Sequence, residues 1–188
     1  MPPLPPSCHI ARGLGLIRSS LEPCLRNRCL ILGIGNNLRG DDGFGPFVIQ
    51  RLQGKTPLPL LDAGSAPENL LGPIRRLSPD HVIIVDAVCL DAPVGSLHWL
   101  QPHDLEHFGI STHAPSFDLF LSFIRHYNPD VRVNILGVVP AKMNLGDPMS
   151  QPVQNAARQL VEVICELAPP QPDANAGSNG LNEKKCTN

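Results

Sequence analysis

The chain is poor in aromatic residues, with six Phe, one Trp and one Tyr in 188 residues, and has no strong excess of either charge. Its 15 Lys and Arg face 17 Asp and Glu. Without a basic excess, an electrostatically driven nucleic-acid binder is excluded. No apolar run approaches the ~18 residues that a membrane span needs, so no membrane insertion is expected. The opening residues, Met1-Pro2-Pro3-Leu4-Pro5-Pro6, lack the basic start and apolar stretch of a secretory signal. Six cysteines (Cys8, Cys24, Cys29, Cys89, Cys165, Cys186) include no CxxC pair and no regular spacing. They read as free thiols in a reducing cytosol, not as a disulfide frame. A His-Glu-x-x-His helix and a GxxxxGK[ST] loop are both missing, so neither a standard zinc peptidase nor a P-loop nucleotide site is supported.

Proline, by contrast, is abundant at 21 residues, about twice the usual ~5%. Its distribution suggests three parts. Residues 1–28 read as a proline-rich mobile tail, and residues 168–188, rich in Asn, Gly, Ser and Lys, as a disordered one. Residues 29–167 form the body.

Within the body, the apolar run Cys29–Ile34 suits a strand in the middle of a sheet, and it breaks at Gly35-Asn36-Asn37. Phe44, Phe47, Val48 and Leu52 then recur at helical spacing. A short strand over Leu58–Leu61 follows. Ser65, with Pro67 and Glu68, resembles a helix start with a capping box, and Pro73 limits or kinks that helix. Strands are expected over His81–Val85, Ser96–Leu100 and Val131–Val139, and helices over Pro115–Tyr127 and Gln151–Leu167. Gln101–Thr112 reads as a polar loop. The order β-α-β-α-β-β-α-β-α predicts a three-layer α/β sandwich whose mostly parallel sheet has about five strands, flanked by helices.

In such sheets the working residues lie beyond the carboxyl ends of the strands. Three consecutive strands end there on acids: Asp41-Asp42, Asp62 and Asp86. His113 sits just before a helix. This topology puts Asp42, Asp62, Asp86 and His113 at one crevice. Two carboxylates and one imidazole suit a borderline divalent ion such as nickel or zinc, with coordination positions left open, and do not choose between metals. Each acid also has a structural reading, as a helix cap or turn former. The remaining histidines lie in a tail, at element edges or in a polar loop, and read as surface groups. The Gly33-x-Gly35 turn fails as a dinucleotide fingerprint, because Leu38 stands where the third glycine belongs and two acids share the turn.

The run Gly35-Asn36-x-x-x-Gly40-Asp41-Asp42-Gly43-x-Gly45 resembles the opening motif of the nickel–iron hydrogenase maturation endopeptidases. The likeness continues through Asp62-Ala63-Gly64-Ser65-Ala66-Pro67-Glu68-Asn69, Ile84-Val85-Asp86-Ala87, Ser111-Thr112-His113, Leu136-Gly137-Val138-Val139-Pro140 and Met149-Ser150-Gln151-Pro152. It covers the body, in the family's order, and looks most like the branch acting on formate-hydrogenlyase-type or energy-converting hydrogenases. The resemblance implies a phosphorylase/hydrolase-like fold. It implies a cytoplasmic, monomeric endopeptidase that removes the C-terminal extension of a hydrogenase large-subunit precursor after nickel insertion. By resemblance, Asp42, Asp86 and His113 match the metal-contacting positions, and Asp62 an acid important for activity. Asp42 or Asp62 is the candidate catalytic acid, nickel is expected to come with the precursor, and no organic cofactor is expected. A nickel-independent peptidase on a related fold and a non-catalytic nickel-loading chaperone are the competing readings. The stretch Ala141–Met149 is shorter than in some members, so the substrate groove is expected to differ.

Overall fold

The computed structural model describes residues 11–104 and 114–168. Six strands form one sheet: β1 (Ala11–Arg12), β2 (Cys29–Gly33), β3 (Leu60–Asp62), β4 (His81–Ala87), β5 (Leu97–Leu100) and β6 (Arg132–Val138). Their spatial order is β1-β5-β6-β4-β2-β3. The four strands β3, β2, β4 and β6 pair in parallel, while β5 runs antiparallel to β6 and to β1. The expected five strands are all present. The two-residue β1 is an addition, and it covers the edge that β5 would otherwise expose.

Among the described residues, the helices α1 (Leu14–Leu25), α2 (Phe44–Leu52), α3 (Leu71–Leu77), α4 (Ala114–Tyr127) and α5 (Gln151–Leu167) flank the sheet. They make two apolar layers. On one face, Val48, Ile49 and Leu52 of α2 pack with Leu160, Val161 and Ile164 of α5 over Ile31, Ile83 and Leu136. On the other, Ile74 of α3 and Phe120, Leu121 and Ile124 of α4 cover Leu32, Ile84 and Ile135. Central strands buried on both faces must be apolar throughout, and β2 is buried at every residue.

Residues 1–28 do not form a tail throughout. Ile17, Leu21, Cys24 and Leu25 of α1 are buried in the same layer as α2 and α5, and Arg18 reaches Glu166 of α5 at 2.5 Å. Pro23 lies inside this helix. The proline density of the segment hides a helical spacing at 17, 21, 24 and 25, which suffices to bury one face. Residues 1–10 and most of the C-terminal segment assigned as a tail, from residue 169 on, lie outside the described residues.

Ser65 does not cap a helix. The chain makes a 3-10 turn over Pro67–Leu70 before α3, and the residue preceding it, Ala66, offers no side-chain cap. Pro73 then falls in the first turn of α3, where its missing N–H costs little. Pro152 has the same role at the start of α5.

Candidate active site

The acid-bearing turn after β2 is built on close backbone contact. Gly35 has φ +135°, and a Cβ there would stand 1.8 Å from the carbonyl oxygen of Asp42. A Cβ on Gly45 would meet the carbonyl oxygens of Ile34 and Val85, both at 2.3 Å. Two glycines therefore let the turn fold back on itself and let α2 dock against the ends of β2 and β4. The glycine-rich spacing serves this packing, which explains why it reads only partly as a phosphate-binding pattern.

Within the turn, the Asn36 N–H donates to both Asp42 Oδ2 (3.0 Å) and the Asp42 carbonyl (3.2 Å). This bifurcated bond holds the carboxylate of Asp42, which is almost wholly buried. The Gly40–Gly43 turn packs against β4, the strand that carries Asp86 one residue beyond Val85. Asp86 keeps part of its residue surface exposed, but protein surrounds its carboxyl. Burial raises the pKa of Asp86 well above the ordinary carboxylate value; the Ala87 N–H, donating to Oδ1 at 2.7 Å, opposes this, and the negative charge of Asp42 adds to it. Two poorly solvated acids, one in the turn after β2 and one near the end of β4, thus influence each other.

Asp62 ends β3 in register with Gly33, which also pairs with Val85. Its residue is exposed, and Oδ1 accepts from the Gly64 N–H at 2.9 Å, closing an Asx turn. The Gly64 carbonyl accepts in turn from Gly35 N–H at 2.9 Å, so the Asp62 loop is tied to the Asp42 turn through the backbone. Asp42, Asp62 and Asp86 all sit at the carboxyl end of the sheet. His113 lies outside the described residues, immediately before α4. Among the described residues, no group of three or more His, Cys, Asp or Glu side chains is placed to hold a metal ion.

Asp41 behaves differently from its neighbour. It is fully buried and accepts from Ser150 N–H (2.6 Å) at Oδ1, and from Ala141 N–H (2.7 Å), Lys142 N–H (3.2 Å) and Ser150 Oγ (2.9 Å) at Oδ2. Nothing in local sequence reveals these partners, which lie about a hundred residues away. The one available signal was the awkwardness of two adjacent acids in one turn.

Two histidines expected on the surface are buried instead. His81 opens β4 and makes a 2.6 Å hydrogen bond from Nε2 to Asn134 Oδ1. His98, on β5, meets Ser96 Oγ at 2.8 Å. A groove of about 270 Å³ between α3 and α4, lined by Ile74, Arg75, Tyr127 and Val131, lies at the amino end of β4 and β6. It is at the opposite end of the sheet from the acids.

Helices on both faces of a mostly parallel sheet, with acids at its carboxyl end, define an α/β protein of the doubly wound kind whose working crevice lies beyond the strand ends. A hydrogenase maturation protease family model, HycI, matches residues 48–167. The hydrogenase 3 maturation protease of Escherichia coli K12 is 31% identical over 137 residues, which cover 71% of this chain and 86% of that one. Among solved structures, the [NiFe] hydrogenase maturation protease HycI from Thermococcus kodakarensis superimposes with a TM-score of 0.71 at 31% identity, over 79% of this chain and 97% of that one. The solution structure of an endopeptidase HycI from Escherichia coli gives 0.60 at 27% identity, over 71% and 86%. The chain belongs to the hydrogenase maturation protease family, and it is a peptidase.

Proposed function

We propose that this protein is the endopeptidase that cuts the C-terminal extension from a nickel–iron hydrogenase large-subunit precursor, and that it reads nickel already held by that precursor. The observation that supports this reading best is the pairing of Asp42 and Asp86. Two carboxylates brought together with little solvation repel each other, and one of them resists ionising. A divalent cation brought by the substrate offsets both the mutual repulsion and the lost hydration, so the pair is poised to discriminate a loaded precursor from an empty one. In this proposal His113 supplies the third contact, and nickel is substrate cargo, not a resident cofactor. It needs no organic cofactor.

Hydrolysis then requires a base to take a proton from the attacking water while the scissile carbonyl becomes tetrahedral. Asp62, exposed at the end of β3, and Asp42, itself one of the metal-reading pair, are the two candidates. This makes the enzyme an acid-dependent peptidase of the aspartyl kind, assisted by substrate nickel. No helix among the described residues is long and apolar enough to cross a membrane. We assign the enzyme to the cytoplasm and expect it to act as a monomer on the precursor's C-terminal region.

The test is mass spectrometry of the precursor C-terminus after incubation with the protein, with and without nickel. Loss of the extension only from nickel-loaded precursor, abolished by His113→Ala and by Asp42→Asn, is the expected result. Cleavage of a nickel-free synthetic peptide would favour a nickel-independent peptidase. An unchanged precursor mass would favour a non-catalytic chaperone.

A further inference from the structure

The two adjacent acids of the turn after β2 have divided their labour. Asp42 faces Asp86. Asp41 is turned into the segment between β6 and α5, and its two oxygens receive four donors from Ala141, Lys142 and Ser150. One donor on Oδ1 and three on Oδ2 tie this buried carboxylate to the segment between β6 and α5.

The backbone extends this clamp. Asp41 N–H donates to Lys142 O (3.0 Å), Gly40 N–H to Asp147 O (3.1 Å) and Gly146 N–H to Leu38 O (2.8 Å), while Arg39 Nε reaches Met143 O (3.2 Å). Gly40 has φ +57°, and a Cβ there would stand 2.8 Å from Lys142 O. The two loops are thus zipped edge to edge, with a buried carboxylate beneath them. At their tips lie Leu38, 67% exposed, and Leu145, 77% exposed. They are the two most exposed large apolar side chains among the described residues, and the Gly146–Leu38 bond makes their backbones neighbours.

A single exposed leucine needs no explanation. Two of them stand on loops distant in sequence whose backbones are pinned together, and Leu38 is tied to the Asp42 turn through Asn36, whose Oδ1 accepts from Leu38 N–H and whose N–H donates to Asp42 Oδ2. We propose that Asp41 is a positioning residue that presents Leu38 and Leu145 as a docking rim for an apolar side chain of the precursor's extended C-terminal segment. The inference rests on the protease reading given above. An extended peptide advances ~3.3 Å per residue, so with its scissile bond at the acids, its next few residues pass over the neighbouring turn. That turn offers leucine side chains, so the peptide residue that settles there is apolar.

The experiment compares steady-state processing of nickel-loaded precursor, and precursor affinity, in the wild type, the Leu38→Ser/Leu145→Ser pair, and Asp41→Asn. The leucine pair should raise KM and Kd about tenfold, with kcat within about twofold of wild type. Asp41→Asn puts an amide NH2 or a single weakened acceptor against those four donors, so it should raise KM similarly. Adding the leucine changes to Asp41→Asn should raise KM little further, because residues that act as a unit are not additive.

An unchanged KM and Kd for the leucine pair would overturn the rim. A loss of kcat alone in Asp41→Asn would overturn its positioning role. Should Asp41→Asn fail to fold, the surface leucine pair and Ser150→Ala still decide the matter. A wild type that elutes as a dimer, and becomes monomeric in the leucine pair with KM unchanged, would mean the rim covers a second copy, which also overturns the proposal. Precursor that binds through the leucines yet is never cut would instead sink the protease reading and leave the rim standing.

Discussion

At the scale of single residues, position within the sheet decides what a titratable group can do. His81 is buried at the start of β4, where loss of hydration lowers its pKa, the Asn134 hydrogen bond opposes the drop, and the charge of Arg132 adds to it. Its folded pKa is below the unfolded value of ~6.5. The unfolded chain therefore binds a proton first as pH falls. The stability that neutral His81 contributes is fully present above about pH 6.5 and is lost as pH drops through the lower folded value. Urea unfolding of wild type and His81→Gln at pH 7.5 and pH 5.5 should show the wild type losing more stability over that step. An equal loss in both would remove His81 from the account. Thiols follow the same logic. Burial pushes Cys29 up to about 12, with neighbouring Cys24 adding to the rise, and both are buried, whereas Cys89 is exposed. A thiol reagent at neutral pH should modify Cys89 in the folded protein within minutes and leave Cys24 and Cys29 untouched until unfolding, as peptide mapping would show.

At the scale of elements, the contact that places the acids is the approach of α2 to the sheet. Gly45 sits against the carbonyl oxygens of Ile34 and Val85, and Gly33 would place a Cβ 2.7 Å from the Gly45 backbone. The atoms nearest Gly45 are all backbone and cannot swing away. Gly45→Ala must push α2 off β2 and β4, and it should cost about 3 kcal/mol, at the upper end of overpacking penalties. Because the shift acts on the turn that carries Asp42, processing should fall together with stability. Chemical denaturation and precursor cleavage measure the two. The sequence legibly marked this region through its glycine spacing, since a phosphate loop and a close-packed turn both need residues without Cβ. What it left open was which backbone comes close.

The same scale explains the misread helix near Ser65. Ser, Pro and Glu in that order suit a capping box, but the chain takes a 3-10 turn first, and Ala66 occupies the position before it. Local cap chemistry yielded here to backbone bonds with the end of β2 and the turn after it, where Ala63 N–H donates to Gly33 O and Gly64 O accepts from Gly35 N–H.

For the molecule as a whole, the largest departure from the sequence reading is α1. Ile17, Leu21 and Leu25 are essentially without exposure, and burying three aliphatic side chains contributes about 5 kcal/mol or more. That is comparable with the entire stability of many domains. Deleting Met1–Leu25 should therefore leave a protein that melts far lower or precipitates, and that exposes apolar surface of α5 to a hydrophobic dye. A truncated protein with wild-type melting would show that α1 is dispensable. The prolines concealed this helix because they cluster before it. Its one internal proline, Pro23, lies near its C-terminal end, where the turns before it hold the buried face.

The sequence by itself determined the alternation of strands and helices, the strand ends on which acids stand, and the family, because hydrophobic period and turn chemistry are local properties written along the chain. The tertiary structure decided how those acids are used. Asp41 and Asp42 are identical in type and adjacent in sequence, yet the charge of Asp42 acts on Asp86 of the neighbouring strand while Asp41 is held by donors from residues 141–150. Which partner a carboxylate faces depends on strand order and loop approach, and no local pattern encodes either. The same holds for α1, whose burial depends on a surface that exists only once α2 and α5 are packed.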